Sequence, residues 1–221
     1  MRESTEQQAR VVTLAPTLSA EERAALEQLP SPIIGLHQKG RMVLEALSSR
    51  CIEATLDALF AAAESSEALA EQRSLFGEYN QFLRAGHRLQ SAWLYNLDVQ
   101  FAALGQPFDI PAREAPCQWQ VQLTEYTNIA LAQATTSLAS IGTRMASLMK
   151  TGDELPKLHN PLAPDAIAYA FEEAALELNC NEETLNALVS QLEQTLLSQW
   201  VGVLEAMDNI LDAYGVASAK S

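Results

Sequence analysis

The sequence predicts an all-α protein: an elongated bundle of five or six helices, three of them long. Three observations lead there. Apolar residues recur at three- and four-residue steps over most of the chain, the period of a helix face turned to a core. No segment alternates apolar and polar residues as a half-buried strand does. Prolines gather at a few breaks, so they divide the periodic stretches more than they interrupt them.

The elements follow in order. Residues 1–18 lack clear periodicity and read as a flexible lead-in. Ser19 and Glu22 have the spacing of a capping box, in which each side chain reaches the other residue's backbone amide. A short helix over 19–29 follows, and Pro30 with Pro32 is expected to end it. A second helix over 41–63 carries Leu44, Leu47, Cys51, Thr55 and Leu59, with Ile52, Leu56 and Phe60 widening the stripe. A third, long helix over 67–104 carries Phe76, Tyr79, Leu83, Gly86, Leu89, Trp93, Leu97, Phe101 and Leu104. A glycine inside a helix costs about 1 kcal/mol relative to alanine. Gly86 lies on the apolar stripe, so close approach of a neighbouring helix is its expected reason. Gly105 and Pro107 signal a stop.

Residues 105–118 hold Pro107, Pro111 and Pro116 and form a connector longer than most helix–helix loops. It either divides residues 19–215 into two subdomains or carries the chain across one bundle. A fourth helix over 119–151 shows Tyr126, Ile129, Leu138, Ile141, Met145 and Leu148 on one side and small residues from Ala130 to Ser140. Small residues permit close helix packing. Gly152 is a C-terminal cap. Pro156, Pro161 and Pro164 then disfavour a continuous helix, and Pro164 suits the first turn of a fifth one, where no amide donor is needed. Ile167, Phe171, Ala174 and Leu178 give that helix its buried side. The last helix is capped by Asn181, with Glu182 and Glu183 at its positive end. Its stripe is Leu185, Leu188, Leu192, Leu196, Trp200, Val203, Met207, Ile210 and Tyr214. Gly215 ends it, and 216–221 form a tail.

The bulk numbers limit the function classes. The chain has 221 residues, enough to bury a core without staples, and 48% hydrophobic residues, as a globular protein does. Its net charge is −14, which repels nucleic acid and anionic membrane surfaces and favours basic partners. No apolar run reaches the roughly 18 residues of a membrane-spanning helix, and the polar start Met1 to Glu6 does not read as a signal peptide. Cys51, Cys117 and Cys180 are far apart and odd in number, the pattern of reduced thiols in a cytoplasmic protein.

Reactive constellations were sought by spacing. Phosphate binding needs a glycine-rich loop opening a helix; the nine glycines are scattered, and Gly142-Thr143-Arg144 lies inside a helix, where it reads as packing. Metal sites in bundles pair carboxylates with a Glu-x-x-His step; His37, His87 and His159 have no such partner. Glu125, Glu172 and Glu173 are candidates for acid–base work, although glutamate is more common on solvated faces. No nucleophile elbow is present. No cofactor or metal is therefore expected. Trp93 and Trp200 read as core. Trp119 follows the connector and reads either as a buried anchor or as an interface residue.

Asn160-Pro161-Leu162-Ala163-Pro164, followed by Ala170-Phe171 and the long last helix, resembles the N-terminal helical part of the proteobacterial domain-of-unknown-function family 1631. Leu123 to Leu148, with Glu125 near its start and Arg144 near its end, resembles the helix before that motif. Asp57-Ala58-Leu59-Phe60 resembles the early helix, and the resemblance runs from about residue 46 onward. Family members are generally longer and continue past Gly215, which implies either a short relative or an isolated N-terminal piece. A thymidine phosphorylase label sometimes attached to the family finds no support in this sequence, which lacks a phosphate loop and an α/β pattern. The resemblance implies no catalytic residues.

The expected function is a non-catalytic protein-interaction or regulatory module of a bacterial cytoplasm, with a protein partner, and with self-association through a long helix as a further expectation. The candidate interaction surface is Trp119, Asn160, Pro161, Leu162 and Pro164; proline fixes a sharp entry to the fifth helix there, and Asn160 is placed to bond the turn backbone. A small-ligand sensor with a pocket between helices is the alternative, and an enzyme assembled from distant residues the least favoured reading.

Overall fold

The computed structural model describes residues 16–106, 110–111, 115–149, 160–178 and 180–217. Among them the chain forms α1 (Ala20–Glu27), α2 (Ser31–Ser65), α3 (Leu69–Ala102), α4 (Gln118–Met149), α5 (Pro164–Leu176), α6 (Glu182–Leu192) and α7 (Ser198–Ala213), with a π-helical turn, Glu193–Leu197, joining the last two. No strand occurs among the described residues, and none of their helices is long and apolar enough to cross a membrane.

The helix ends follow local chemistry. Ser19 N–H donates to Glu22 Oε2 at 2.7 Å and Glu22 N–H to Ser19 Oγ at 3.1 Å, so the capping box forms as expected. Asn181 Oδ1 accepts from Thr184 N–H at 2.9 Å and caps α6. After α7, Gly215 adopts φ 72°; its N–H donates to Asp212 O at 2.9 Å and Val216 N–H to Leu211 O at 3.0 Å. That pair is the Schellman pattern, and glycine fits it because no Cβ meets the left-handed backbone.

Two expectations need correction. The first helix ends ahead of Pro30 as expected, at Glu27, but no long loop follows it. Pro32 lies in the first turn of α2, where its missing N–H costs nothing, and Pro30 O accepts from Ile33 N–H at 2.8 Å. The second helix therefore begins ten residues earlier than its stripe suggested, and Ile33, Leu36 and Gly40 extend its buried side. The last helix is not uniformly α. Leu188, Leu192, Leu196 and Trp200 are all buried and all separated by four residues. Each four-residue step overshoots one α-turn by about 40°, so three in a row would rotate Trp200 off the core face. The wider π turn absorbs that excess.

Contacts show the packing order. α2 and α3 form an antiparallel hairpin: Gln90 Nε2 donates to Glu45 O at 2.9 Å, and Ile52 lies against Gly86. A Cβ on Gly86 would stand 2.8 Å from Ile52 Cγ2, which is the close approach expected of that glycine. α2 also runs antiparallel to the α6–α7 rod, from Tyr214 over Gly35 to Leu188 beside Cys51. On α4, Arg144 reaches α7: its side chain is 5% exposed, one amino group lies 2.7 Å from Asp212 Oδ1, and the other donates to Asp208 O at 3.0 Å. Of Gly142-Thr143-Arg144 only the arginine makes this helix contact; Thr143 is exposed and a Cβ on Gly142 would meet nothing.

Short α5 is the hub. Ala166, Ala168, Ala170, Ala174 and Ala175 are buried with Ile167 and Phe171, and burial on most sides marks a central helix, with Asp165, Tyr169 and Glu173 along its remaining edge. Its small side chains let polar groups of α3 reach its backbone. Trp93 Nε1 donates to Ile167 O, Asn96 Nδ2 to Ala170 O and Gln100 Nε2 to Ala166 O, at 3.1, 3.0 and 3.0 Å. Those carbonyls have a second lone pair free after the helix bond, which is how buried donors of α3 are satisfied. Phe171 lies between Trp93 and Trp119, at 5.0 and 6.5 Å, both edge-on.

Candidate functional site

Asn160 to Pro164 folds into a tight turn before it becomes helix. Asn160 Oδ1 accepts from Leu162 N–H at 3.0 Å and Asn160 O from Ala163 N–H at 2.9 Å, so the asparagine bonds the turn backbone as expected. Pro164 occupies the first turn of α5. Leu162 O precedes the helix and accepts instead from Trp200 Nε1, at 2.7 Å. The Leu162 side chain is buried against Gly40 of α2, where an added Cβ would stand 2.8 Å from its Cδ2.

The structure places the candidate interaction residues inside the bundle, and Trp119 takes the buried-anchor reading. Pro161, Leu162 and Pro164 are buried, Asn160 is half-buried, and Trp119 is buried against Phe171. The motif is a three-way joint between α2, α5 and α7, and Trp119 sits across α5 from Trp93. These side chains hold the bundle together; they present no accessible knuckle, because the turn that proline sharpens faces inward.

The other candidates are scattered. His37 Nε2 donates to Asp98 Oδ1 at 2.7 Å, Arg41 donates to Asp98 Oδ2 at 2.9 Å, and the imidazole tilts on Phe101. This α2–α3 ion cluster was missed because its members lie 57 and 61 residues apart. His87 is exposed on α3, and His159 lies outside the described residues. Glu125 and Glu173 are exposed. Burial pushes the Cys51 thiol up to about 12, while Cys117 is exposed and Cys180 half-buried, its thiol also raised by burial. Among the described residues no three His, Cys, Asp or Glu side chains gather to hold a metal ion.

Glu172 differs from its neighbours. It is 1% exposed on α5 and accepts from Gln120 Nε2, whose Oε1 in turn accepts from Cys117 N–H at 2.8 Å. Glu172 and Tyr169 are engaged in further interactions as well. Both line a half-open cavity of about 280 Å³ between α4 and α5, with Leu123, Thr127, Asn128 and Asp165. Asp165 Oδ1 is shielded from solvent with no hydrogen-bond partner among the described residues. The cavity can hold a small molecule with hydrogen-bonding groups.

A second feature lies on the α2–α3 hairpin. One side of it is core: Thr55, Leu59, Ala63 and Phe82 are buried. The other side carries Phe60, 40% exposed, whose ring meets Phe76 and Tyr79 edge-on at 5.7 Å each. Leu83, one helical turn beyond Tyr79, is 47% exposed, and Leu69 is 70% exposed. Phe76, Tyr79 and Leu83 were expected to continue the core stripe of α3. The stripe is buried from Gly86 onward, but before it the buried positions are Phe82 and Ala85, which leaves Leu83 exposed and Phe76 and Tyr79 half-buried.

Comparison with known proteins gives one match. A family model described as "Protein of unknown function (DUF1631) N-terminal domain" matches residues 28–215. No curated protein matches the chain. No solved structure matches it either.

Proposed function

We propose that this chain, which belongs to the DUF1631 family through its N-terminal domain, is a non-catalytic protein-interaction or regulatory module of a bacterial cytoplasm. The observation that carries this reading is the aromatic face of the α2–α3 hairpin. Phe60 and Leu83 are exposed, and half-buried Phe76 and Tyr79, whose rings meet Phe60, join them in an apolar surface at the edge of the core, against which Tyr79 also packs. Contiguous exposed apolar surface, rich in aromatic residues, marks partner sites more often than isolated exposed side chains do. The test is affinity purification from the native bacterium, wild type against Phe60→Ser with Leu83→Ser. A stoichiometric partner that the double variant loses supports the reading, and a partner retained by the variant sinks it.

The cavity beside Glu172 favours a second reading, a sensor of a small ligand. Its volume, its polar lining and Asp165 Oδ1, which has no hydrogen-bond partner among the described residues, suit a compact hydrogen-bonding molecule. A metabolite thermal-shift screen tests it, since a ligand that binds only the folded state raises apparent stability. A stabilising compound whose effect disappears in Asn128→Leu supports it; a compound that stabilises both proteins equally binds elsewhere.

A further inference from the structure

The rims of the hairpin face differ in charge. On α2, Glu53, Asp57 and Glu64 stand seven and three residues before Phe60 and four after it, so they share its side of the helix. All three are exposed, and one base, exposed Arg50, lies on the same side a turn before Glu53, so this rim is acidic on balance. Across the face, α3 carries Glu71 and Glu78 with Arg73 and Arg84, which balance. Resting on the interaction reading above, we infer that the occupant of this face is an amphipathic helix of a partner protein, with a basic flank that lies along the α2 rim.

Shape and charge both select that occupant. Exposed Phe60 on one helix and exposed Leu83 on the other flank half-buried Leu56, Phe76 and Tyr79, which floor the face where it meets the core. A helix laid along such a face offers its own anchors at three- and four-residue steps. Lysine or arginine beside those anchors meets Glu53, Asp57 and Glu64, and charge complementarity of this kind fixes register and speeds encounter. A second copy of this chain is disfavoured, because pairing two such faces brings like charges together on a molecule of net charge −14.

Two labelled synthetic helices of roughly 18 residues test the inference. Both carry leucine along one side; the polar side is lysine in one and glutamate in the other. Binding to the full chain is read by fluorescence anisotropy at physiological salt, which screens distant charges. The lysine peptide is expected to bind wild type at least about tenfold more tightly than Phe60→Ser with Leu83→Ser, a loss of hot-spot size. Ile129→Ser, an exposed apolar site on α4, should leave its affinity unchanged. In Asp57→Lys with Glu64→Lys the preference should invert towards the glutamate peptide. If the glutamate peptide binds wild type as tightly and loses affinity in the serine variant, the face is a docking site but the basic partner is wrong. If the serine variant weakens neither peptide, or if neither binds wild type, both the face and its occupant are refuted.

Discussion

Leu162 and Gly40 give a prediction with a change of sign. Leu162 is fully buried, and replacing it with alanine removes buried methyl groups and leaves a cavity, at a cost of about 2–5 kcal/mol. Gly40→Ala places a methyl group 2.8 Å from Leu162 Cδ2 in the intact protein. With Leu162 fully buried, overpacking costs about 1–3 kcal/mol, against a gain of about 1 kcal/mol from the better helix former. Alone, Gly40→Ala is therefore neutral to destabilising by about 2 kcal/mol. In the Leu162→Ala background the clash is gone, and the remaining neighbour, Met207 Cε at 3.5 Å, is an ordinary contact. There the same substitution should stabilise by about 1 kcal/mol, giving a coupling of about 1–3 kcal/mol. Urea unfolding of the four proteins measures this, provided the slopes with denaturant agree. An equal effect of Gly40→Ala in both backgrounds would refute the joint between α2, α5 and α7.

Other consequences follow from single contacts. Asp208→Asn with Asp212→Asn strips the buried Arg144 guanidinium of its charge partners and should cost about 3–5 kcal/mol in the same unfolding assay. Ser19→Ala removes half of the capping box and should lower stability by about 1 kcal/mol, with faster amide exchange confined to α1. Cys51 holds its proton more tightly when folded, at about 12 against 9.0. Its contribution is fully present below pH 9 and is lost as the pH rises towards 12, because the unfolded chain releases the proton first. Stability should fall by up to about 1.4 kcal/mol per pH unit across that window, and more gently in Cys51→Ala. At pH 8 a thiol reagent should modify exposed Cys117 well before Cys51 in the native protein.

Legibility in the sequence followed distance along the chain. The Ser19–Glu22 box, the Asn181 cap, the Asn160 turn and the Gly215 stop each involve neighbours within five residues, and each could be read from spacing alone. Gly86 was also legible, because a glycine on an apolar stripe has few reasons to be there other than a close neighbour. The start of α2 was hidden by two prolines, which break a helix interior but are harmless in a first turn. The π turn did leave a signal: three consecutive four-residue steps are more than an α-helix can keep on one face. The His37–Asp98–Arg41 cluster and the cavity beside Glu172 depend on which helices become neighbours, and no local pattern encodes that. The hairpin face was misread for a related reason. Phe60, Phe76, Tyr79 and Leu83 have core spacing, and periodicity says that a face is apolar without saying what covers it.

The most direct test of a docking face on the α2–α3 hairpin is site-specific photo-crosslinking in the native host cell. A photoreactive amino acid replaces Phe60, Leu83 or, as the control, Ile129. Discrete crosslinked products to the same partner from positions 60 and 83, and none from 129, are the predicted result. Products of equal yield from all three positions, or none from 60 and 83, would contradict it.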